Sequence, residues 1–439
     1  MKSFPATVDV AIVGGGLAGL TAATYLARAG KSVALFEKAA SLGGRAATSN
    51  HEGYLFNRGI HALYTGGATE EVLKDLGIAY SYGSPKETFL LHEGHIFPFP
   101  ASASALLGSP FLKLGDKLEL VRILSTVPRI KAESLAHLSV QEWLERTIKH
   151  PVDRQILAST ARVFTYCSNL DLVSAEVFVF KLQRSLKHPV LYLDGGWQML
   201  IEGLRQAALQ AGASIRSGTR VTAVHHQHGQ VQGVQLFDEM VVAASSVILA
   251  TTPDDAAKLV GGGAYAPLRD IIDPLIPARI ACLDVALRHL PEPRYPVVQD
   301  VAAPRFLSAQ SVYSRMAPEG GAMVYTFKML DPIHPSDPKQ DERALEDLLD
   351  TVQPGWREVL VKRCFLPHIE AIGMLPTARG GGYAGRPKPV VPGIRNLYLA
   401  GDWIGAGFLS DPSMGSARQV AQQIIASEKQ AAIPKTTIR

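Results

Sequence analysis

Val8-Asp9-Val10-Ala11-Ile12-Val13-Gly14-Gly15-Gly16-Leu17-Ala18-Gly19-Leu20 decides how this chain folds. An apolar stretch of strand character runs into Gly14-x-Gly16-x-x-Gly19. Good helix formers follow as far as Ala27. Lys31-Ser32-Val33-Ala34-Leu35-Phe36 then reads as a second strand and ends in Glu37, 23 residues after Gly14. The unit is strand, turn, helix, strand. Its glycines permit a tight turn, close backbone approach to a pyrophosphate, and close helix–strand packing. The helix N-terminus attracts phosphate, and an acid at the end of the second strand holds a ribose hydroxyl. A glycine turn in an ordinary α/β protein does not need that acid, so the stretch reads as a nucleotide site. Glu37, where a basic residue would be needed, argues against a 2′-phosphate.

The bulk numbers bound the rest. A chain of 439 residues exceeds one hydrophobic core, so two domains are expected, or two interleaved ones. Hydrophobic content of 47% with 19% charged residues describes a folded globular protein. The 44 basic and 40 acidic side chains are spread along the chain, which does not suggest nucleic acid. Cys167, Cys282 and Cys364 are far apart, with no CxxC or Cys/His cluster. Neither a metal site nor a disulfide framework is expected, and a reducing, cytoplasmic compartment fits. Met1 to Pro5 leads directly into a strand, leaving no room for a signal peptide. No apolar run is long enough to span a membrane.

Along the chain, Gly43-Gly44-Arg45 forms a glycine loop with a cation. Residues 69–77 read as a helix, 81–97 as a hairpin, 98–112 as an apolar loop, and 116–187 as helical, with Ser139 to Glu142 a capping box. A helix is expected over 198–210. Strands are expected over 214–226, 231–236 and 240–250, the third apolar enough for a buried parallel strand. Antiparallel strands are expected within 278–330 and a helix over 341–349. Asn396 to Asp402 is an apolar strand ending in Gly-Asp, followed by a glycine-rich loop and a helix from Ser413. The tail around 433–437 reads as frayed.

Four blocks together resemble the flavin-containing amine oxidase and phytoene-desaturase superfamily of FAD oxidoreductases: Val10 to Leu20 with Glu37; Gly43-Gly44-Arg45; Gly59-Ile60-His61; and Leu397 to Asp402 with Ser413-Met414. The resemblance implies an α/β fold. A Rossmann-type FAD-binding domain would be assembled from 1–66, 185–265 and 367–439. An inserted α+β substrate domain would comprise 67–184 and 266–366. It implies that Gly14, Gly16, Leu17, Ala18 and Gly19 lie at the pyrophosphate and that Glu37 and Lys38 lie at the adenosine ribose. Gly44 and Arg45 would lie along the diphosphate and flavin side, and Gly59, Ile60 and His61 near the flavin ring. Val221 would hold adenine through its backbone, with Thr251 beside the cofactor. Gly401 and Asp402 would reach the diphosphate and ribityl chain, and Met414 and Gly415 the pyrimidine edge of the ring. The sequence Met414-Gly415-Ser416-Ala417 departs from the Met-Glu-Gly-Ala often found there. The helix-end field that stabilises reduced flavin survives the change. No cysteine precedes this loop closely, so the FAD is expected to be non-covalent.

Other candidates weigh differently. An acid–base role for His61 competes with that of a satisfied core histidine. Tyr64 and Trp197 read as packing. His225, His226 and His228 read as a solvated turn, and Gly261-Gly262-Gly263 as a loop. Residues 96–135 carry apolar side chains beside five cations and three acids. A buried lid is the first reading there, and contact with an anionic membrane surface the second. The expected activity is hydride removal from a small apolar, isoprenoid-like molecule. A flavin amine oxidase releasing hydrogen peroxide, an NAD-dependent dehydrogenase and a redox-neutral flavoprotein are the alternatives. Substrate identity, electron acceptor and oligomeric state are not encoded in any motif.

Overall fold

The computed structural model describes residues 6–100 and 102–431. The readings made for Met1 to Pro5 and for 433–437 lie outside the described residues. Two seven-stranded sheets organise the chain. In the first, Ser214–Arg216, Val33–Phe36, Thr7–Val13 and Val241–Leu249 run parallel in that order. One edge of Val241–Leu249 serves two partners. Its start pairs with antiparallel Gln230–Leu236 and its end with parallel Leu397–Leu399. The far edge is Val221–Gln227.

This sheet is buried on both faces, which is why Val10 to Val13 and Val247 to Leu249 are all apolar. Helices Leu17–Arg28, Gln198–Gln210 and Ser410–Ala431 cover one face. Helices Pro253–Leu259 and Ala266–Ile272 cover the other. The expected strand over 214–226 is two strands. Between them the chain leaves the sheet edge, and the N–H groups of Gly218 and Thr219 donate to the carbonyls of Ala39 and Glu37.

The second sheet runs Leu360–Ile372, Ala278–Leu287, Ala322–Met329, Arg305–Ser308, Val297–Asp300, Phe89–His92, His95–Pro98. Its pairs are antiparallel except Val297–Asp300 with Phe89–His92. Alternation sorts its side chains. Ile280 and Cys282 face the helices between 140 and 185. Leu283 and Val285 face helix Pro338–Val352. The 13-residue strand Leu360–Ile372 has no counterpart in the sequence reading. The expected loop over 98–112 contains helix Ala103–Gly108, capped when the Ala105 N–H donates to the Ser102 hydroxyl. The capping box at Ser139 forms as read.

Gly19 sets how closely the first helix approaches the sheet. A Cβ there would lie 1.9 Å from the Gly14 carbonyl oxygen. Gly19→Ala is therefore expected to cost about 3 kcal/mol of folding free energy through overpacking. Urea denaturation checks this, and an unchanged midpoint would contradict it.

Candidate functional site

Three parallel strands end side by side at Val13, Leu249 and Leu399. The chain stays joined just past them. The Ala250 N–H donates to Val13 and the Ala400 N–H to Leu249. A cavity of about 640 Å³ opens at these carboxyl ends, where open α/β sheets take their ligands. Gly14 and Gly16 face it from one end of the sequence, and Gly401 and Asp402 from the other.

The phosphate-like end is built from backbone. Gly14 sits at φ 111°, and a Cβ there would meet the Ala250 oxygen at 2.3 Å. Gly16 caps helix Leu17–Arg28 with no side chain over the helix end and no acid in the first turn. Leu17 and Ala18 complete this wall. Gly44 abuts the glycine turn from the next loop, and a Cβ there would lie 3.9 Å from the Gly16 Cα. Helix-end N–H groups left without a side-chain cap favour an anion.

Glu37 is buried, and its carboxylate accepts the Gly15 N–H at 2.7 Å and the Ala39 N–H at 2.8 Å. It fixes the glycine turn as well as facing the cavity. Lys38 lines the mouth but is paired with Asp255 at 2.7 Å. Val221 and Thr251 line the cavity, and the Thr251 carbonyl also accepts the Trp403 indole N–H.

Arg45 and Asp402 form a two-pronged ion pair. Arg45 Nη1 donates to Asp402 Oδ2 at 2.8 Å, and Nη2 donates to Oδ1. Asp402 also accepts the Gly373 N–H at 2.7 Å. Burial acts to raise the pKa of this carboxyl. The Arg45 guanidinium and the Gly373 N–H more than offset that and hold it below the usual carboxylate range. Asp402 is thus neutralised by Arg45 rather than presented bare to a phosphate.

Gly59, Ile60 and His61 line the same cavity. The His61 ring stacks on Trp197 with centroids 5.0 Å apart, and the Gln310 amide holds its backbone carbonyl. Burial pushes its imidazole down to about 4, helped by the nearby Arg45 charge and opposed by a backbone hydrogen bond. His61 is neutral at physiological pH. Trp197 packs in the core and also faces the cavity. Tyr64 packs beneath the Lys181 amine, 4.1 Å from its ring centre.

Three expected positions do not face the cavity. Gly19 points at the Gly14 carbonyl and serves packing. Met414 is fully buried in the core, and Gly415 turns toward Ala68. The last helix begins at Ser410, three residues earlier than read, so Ser410 and Ser413 take the cavity-facing places. Tyr166, Ile280, Ile369 and Glu370 line the wall without any motif to announce them. Tyr166 holds a left-handed conformation at φ 56° at a helix C-terminus, uncommon for an aromatic residue. His225 and His226 close strand Val221–Gln227, and His228 occupies the turn. Gly261–Gly263 is a short 3₁₀ turn after a helix, with no strand leading into it.

A dinucleotide with a ring at one end fits these residues. The glycine walls leave room for its phosphates. The His61 Nδ1 and Trp197 Nε1 atoms are buried with no hydrogen-bond partner among the described residues. A family model described as flavin-containing amine oxidoreductase matches residues 17–425. The chain is similar to a 4,4′-diapolycopen-4-al dehydrogenase from Metabacillus indicus, 23% identical across 91% of this chain and 93% of that protein. Its fold is similar to that of an oxidoreductase from Methanosarcina mazei, with a TM-score of 0.75 at 18% identity, covering 94% of this chain and 100% of the other. It is similar also to wild-type putrescine oxidase bound to putrescine, with a TM-score of 0.72 at 17% identity, covering 96% and 99%.

The His61 environment has a measurable consequence. Its folded pKa lies below the ordinary histidine value. Between about pH 6.5 and about 4 the unfolded chain takes up a proton that the folded one refuses. Stability should therefore rise with pH across that window. His61→Phe is expected to flatten this part of the urea-midpoint profile. Superimposable profiles would contradict a buried, neutral His61.

Proposed function

As a member of the flavin-containing amine oxidoreductase family, the chain is an FAD-dependent oxidoreductase, and we propose that it removes a hydride from an apolar, isoprenoid-like substrate. The observation that carries this reading is the make-up of the cavity wall. The glycine turns come from the parallel sheet, whereas Ile280 and Ile369 come from the second sheet and belong with Ile60 to its apolar cluster. Glu370 beside Ile369 adds one carboxyl to this wall, and the apolar side chains around it suit a hydrocarbon. The similarity to a diapolycopen-4-al dehydrogenase over most of the chain favours the same substrate class.

In this reading residues 1–66, 185–265 and 367–439 form the cofactor unit, and 67–184 with 266–366 the substrate unit. The boundary at 366/367 falls inside strand Leu360–Ile372, whose pairing with Ala278–Leu287 runs on to Ile372. Gly14, Gly16, Leu17, Ala18 and Gly44 would hold the FAD diphosphate non-covalently. Glu37 would hold the ribose through oxygen lone pairs left after its two backbone bonds. The Val221 backbone would hold adenine, with Thr251 beside the cofactor. Arg45 would set a positive charge beside the diphosphate, with Asp402 fixing its direction. When bound, the flavin supplies the hydride acceptor. His61, neutral and stacked on Trp197, would position the ring without adding a charge of its own. It would not deliver a proton as an acid at neutral pH.

Two outcomes test the proposal. Glu37→Ala should weaken FAD binding about tenfold or more, since about 1.4 kcal/mol is tenfold in affinity. Unchanged flavin occupancy after dialysis would remove the ribose role. Anaerobic mixing with an isoprenoid polyene or its aldehyde should bleach the visible flavin band and yield an oxidised isoprenoid. Bleaching by amines alone, with hydrogen peroxide released in air, would assign an amine oxidase instead.

A further inference from the structure

Tyr166 lines the cavity among apolar side chains, with Ile280, Phe306 and Phe327 in the same cluster. Helix Pro151–Thr165 stops at it in a left-handed turn. Its ring stacks on Phe327 with centroids 5.4 Å apart and is almost wholly buried. A phenol hydroxyl in such a wall needs a hydrogen-bond partner.

That partner is Tyr64. The two hydroxyls lie within hydrogen-bonding reach of each other. Each phenol brings one O–H, and a bond between them uses one. Among the described residues no backbone carbonyl or carboxylate takes the other. Tyr166 reaches the cavity and Tyr64 stands behind it, lining a smaller pocket with Lys181 and Arg184. With Tyr64 donating to Tyr166, the O–H left over is the one on the cavity side. Tyr64 is fixed from the rear. Arg184 donates to its backbone carbonyl, and the Lys181 amine lies 4.1 Å from its ring centre and 4.9 Å from that of Phe408.

This end of the cavity offers a donor without a charge to match an anion. Burial pushes both phenols up, so they stay protonated at neutral pH. Burial, helped by the Arg184 charge, pushes the Lys181 amine down. Arg184 itself is paired with Asp411. A carboxylate entering here would lose its water and gain no counter-charge. A plain hydrocarbon would leave the O–H without an acceptor, which weakens binding. A neutral carbonyl or hydroxyl oxygen satisfies it.

We propose that Tyr166 is a specificity-determining residue that donates a hydrogen bond to a neutral aldehyde or alcohol oxygen at one end of an isoprenoid substrate, with Tyr64 positioning it. The assignment rests on the isoprenoid reading above and narrows it to oxygen-bearing chains.

The FAD-loaded full chain, reduced with dithionite so that nothing turns over, is dialysed to equilibrium against farnesal, farnesol, farnesoic acid and farnesene in dilute detergent. Farnesal and farnesol are expected to bind about tenfold tighter than farnesene or the acid. Tyr166→Phe should erase that preference and leave the farnesene affinity unchanged. Tyr64→Phe should weaken farnesal binding by less. The carbonyl stretch of farnesal should move to lower frequency on binding to the parent and stay higher on binding to Tyr166→Phe. Equal binding of farnesal and farnesene by the parent, or an unshifted carbonyl band, would overturn the proposal while leaving an isoprenoid substrate in place. So would tighter binding of farnesoic acid, which would assign a charge-selecting site. These outcomes are read on the parent, whether or not Tyr166→Phe keeps its flavin. A preference that survives in a flavin-loaded Tyr166→Phe would also overturn it. Failure of all four to bind would contradict the isoprenoid reading itself, and the proposal with it.

Discussion

The ion pair between Arg45 and Asp402 joins residues 357 positions apart in the sequence. It is the constraint on which the cavity depends. Asp402 follows a strand laid down late in the chain, and Arg45 follows the first strand–helix–strand unit. Each depends on the other. A buried carboxylate without its guanidinium would carry a large desolvation cost, and removing one partner of such a pair is strongly destabilising. The Gly373 N–H adds a third anchor from the end of the second sheet. Three distant stretches are thereby fixed around one space.

Backbone closeness does the rest. Gly14 touches the Ala250 carbonyl, Gly19 touches Gly14, and Gly44 rests against Gly16. Side chains at Gly14 and Gly19 would push strand and helix apart, whereas a Cβ on Gly44 would meet Gly16 only at ordinary contact distance. Glu37 then ties the glycine turn to the second strand through Gly15. The result is a rigid polar cradle on the parallel sheet, facing an apolar wall carried by the antiparallel one. Hydride chemistry benefits from that division. Under the proposed function, one wall would orient a charged cofactor and the other would hold a hydrocarbon away from water.

Legibility in the sequence followed locality. The first fingerprint was readable because glycine freedom, strand hydrophobicity and helix start lie within one short segment. Gly401-Asp402 was readable because an apolar strand ended there. Met414 and Gly415 were misplaced because the helix starts a turn earlier, where Asp411 accepts the Thr69 N–H and pairs with Arg184. Ser410 and Ser413, three residues apart on one face of this helix, line the cavity, while Met414 packs in the core. Ile280, Ile369 and Tyr166 could not be read at all. They reach the cavity through the register of Ala278–Leu287 with Leu360–Ile372 and through a helix end packed on Phe327. Long-range pairing of this kind leaves no local pattern. The stretch over 98–112 was half readable. Its apolar composition was visible, but helix Ala103–Gly108 inside it was read as a loop.

The central claim is that both ends of the chain clasp one FAD, and calorimetric titration of FAD into flavin-stripped protein tests it most directly. The account predicts one site per chain, weakened about tenfold or more by Asp402→Ala although that residue lies far from the glycine fingerprint in sequence. Absence of FAD binding, or a site with the same affinity after Asp402→Ala, would contradict it.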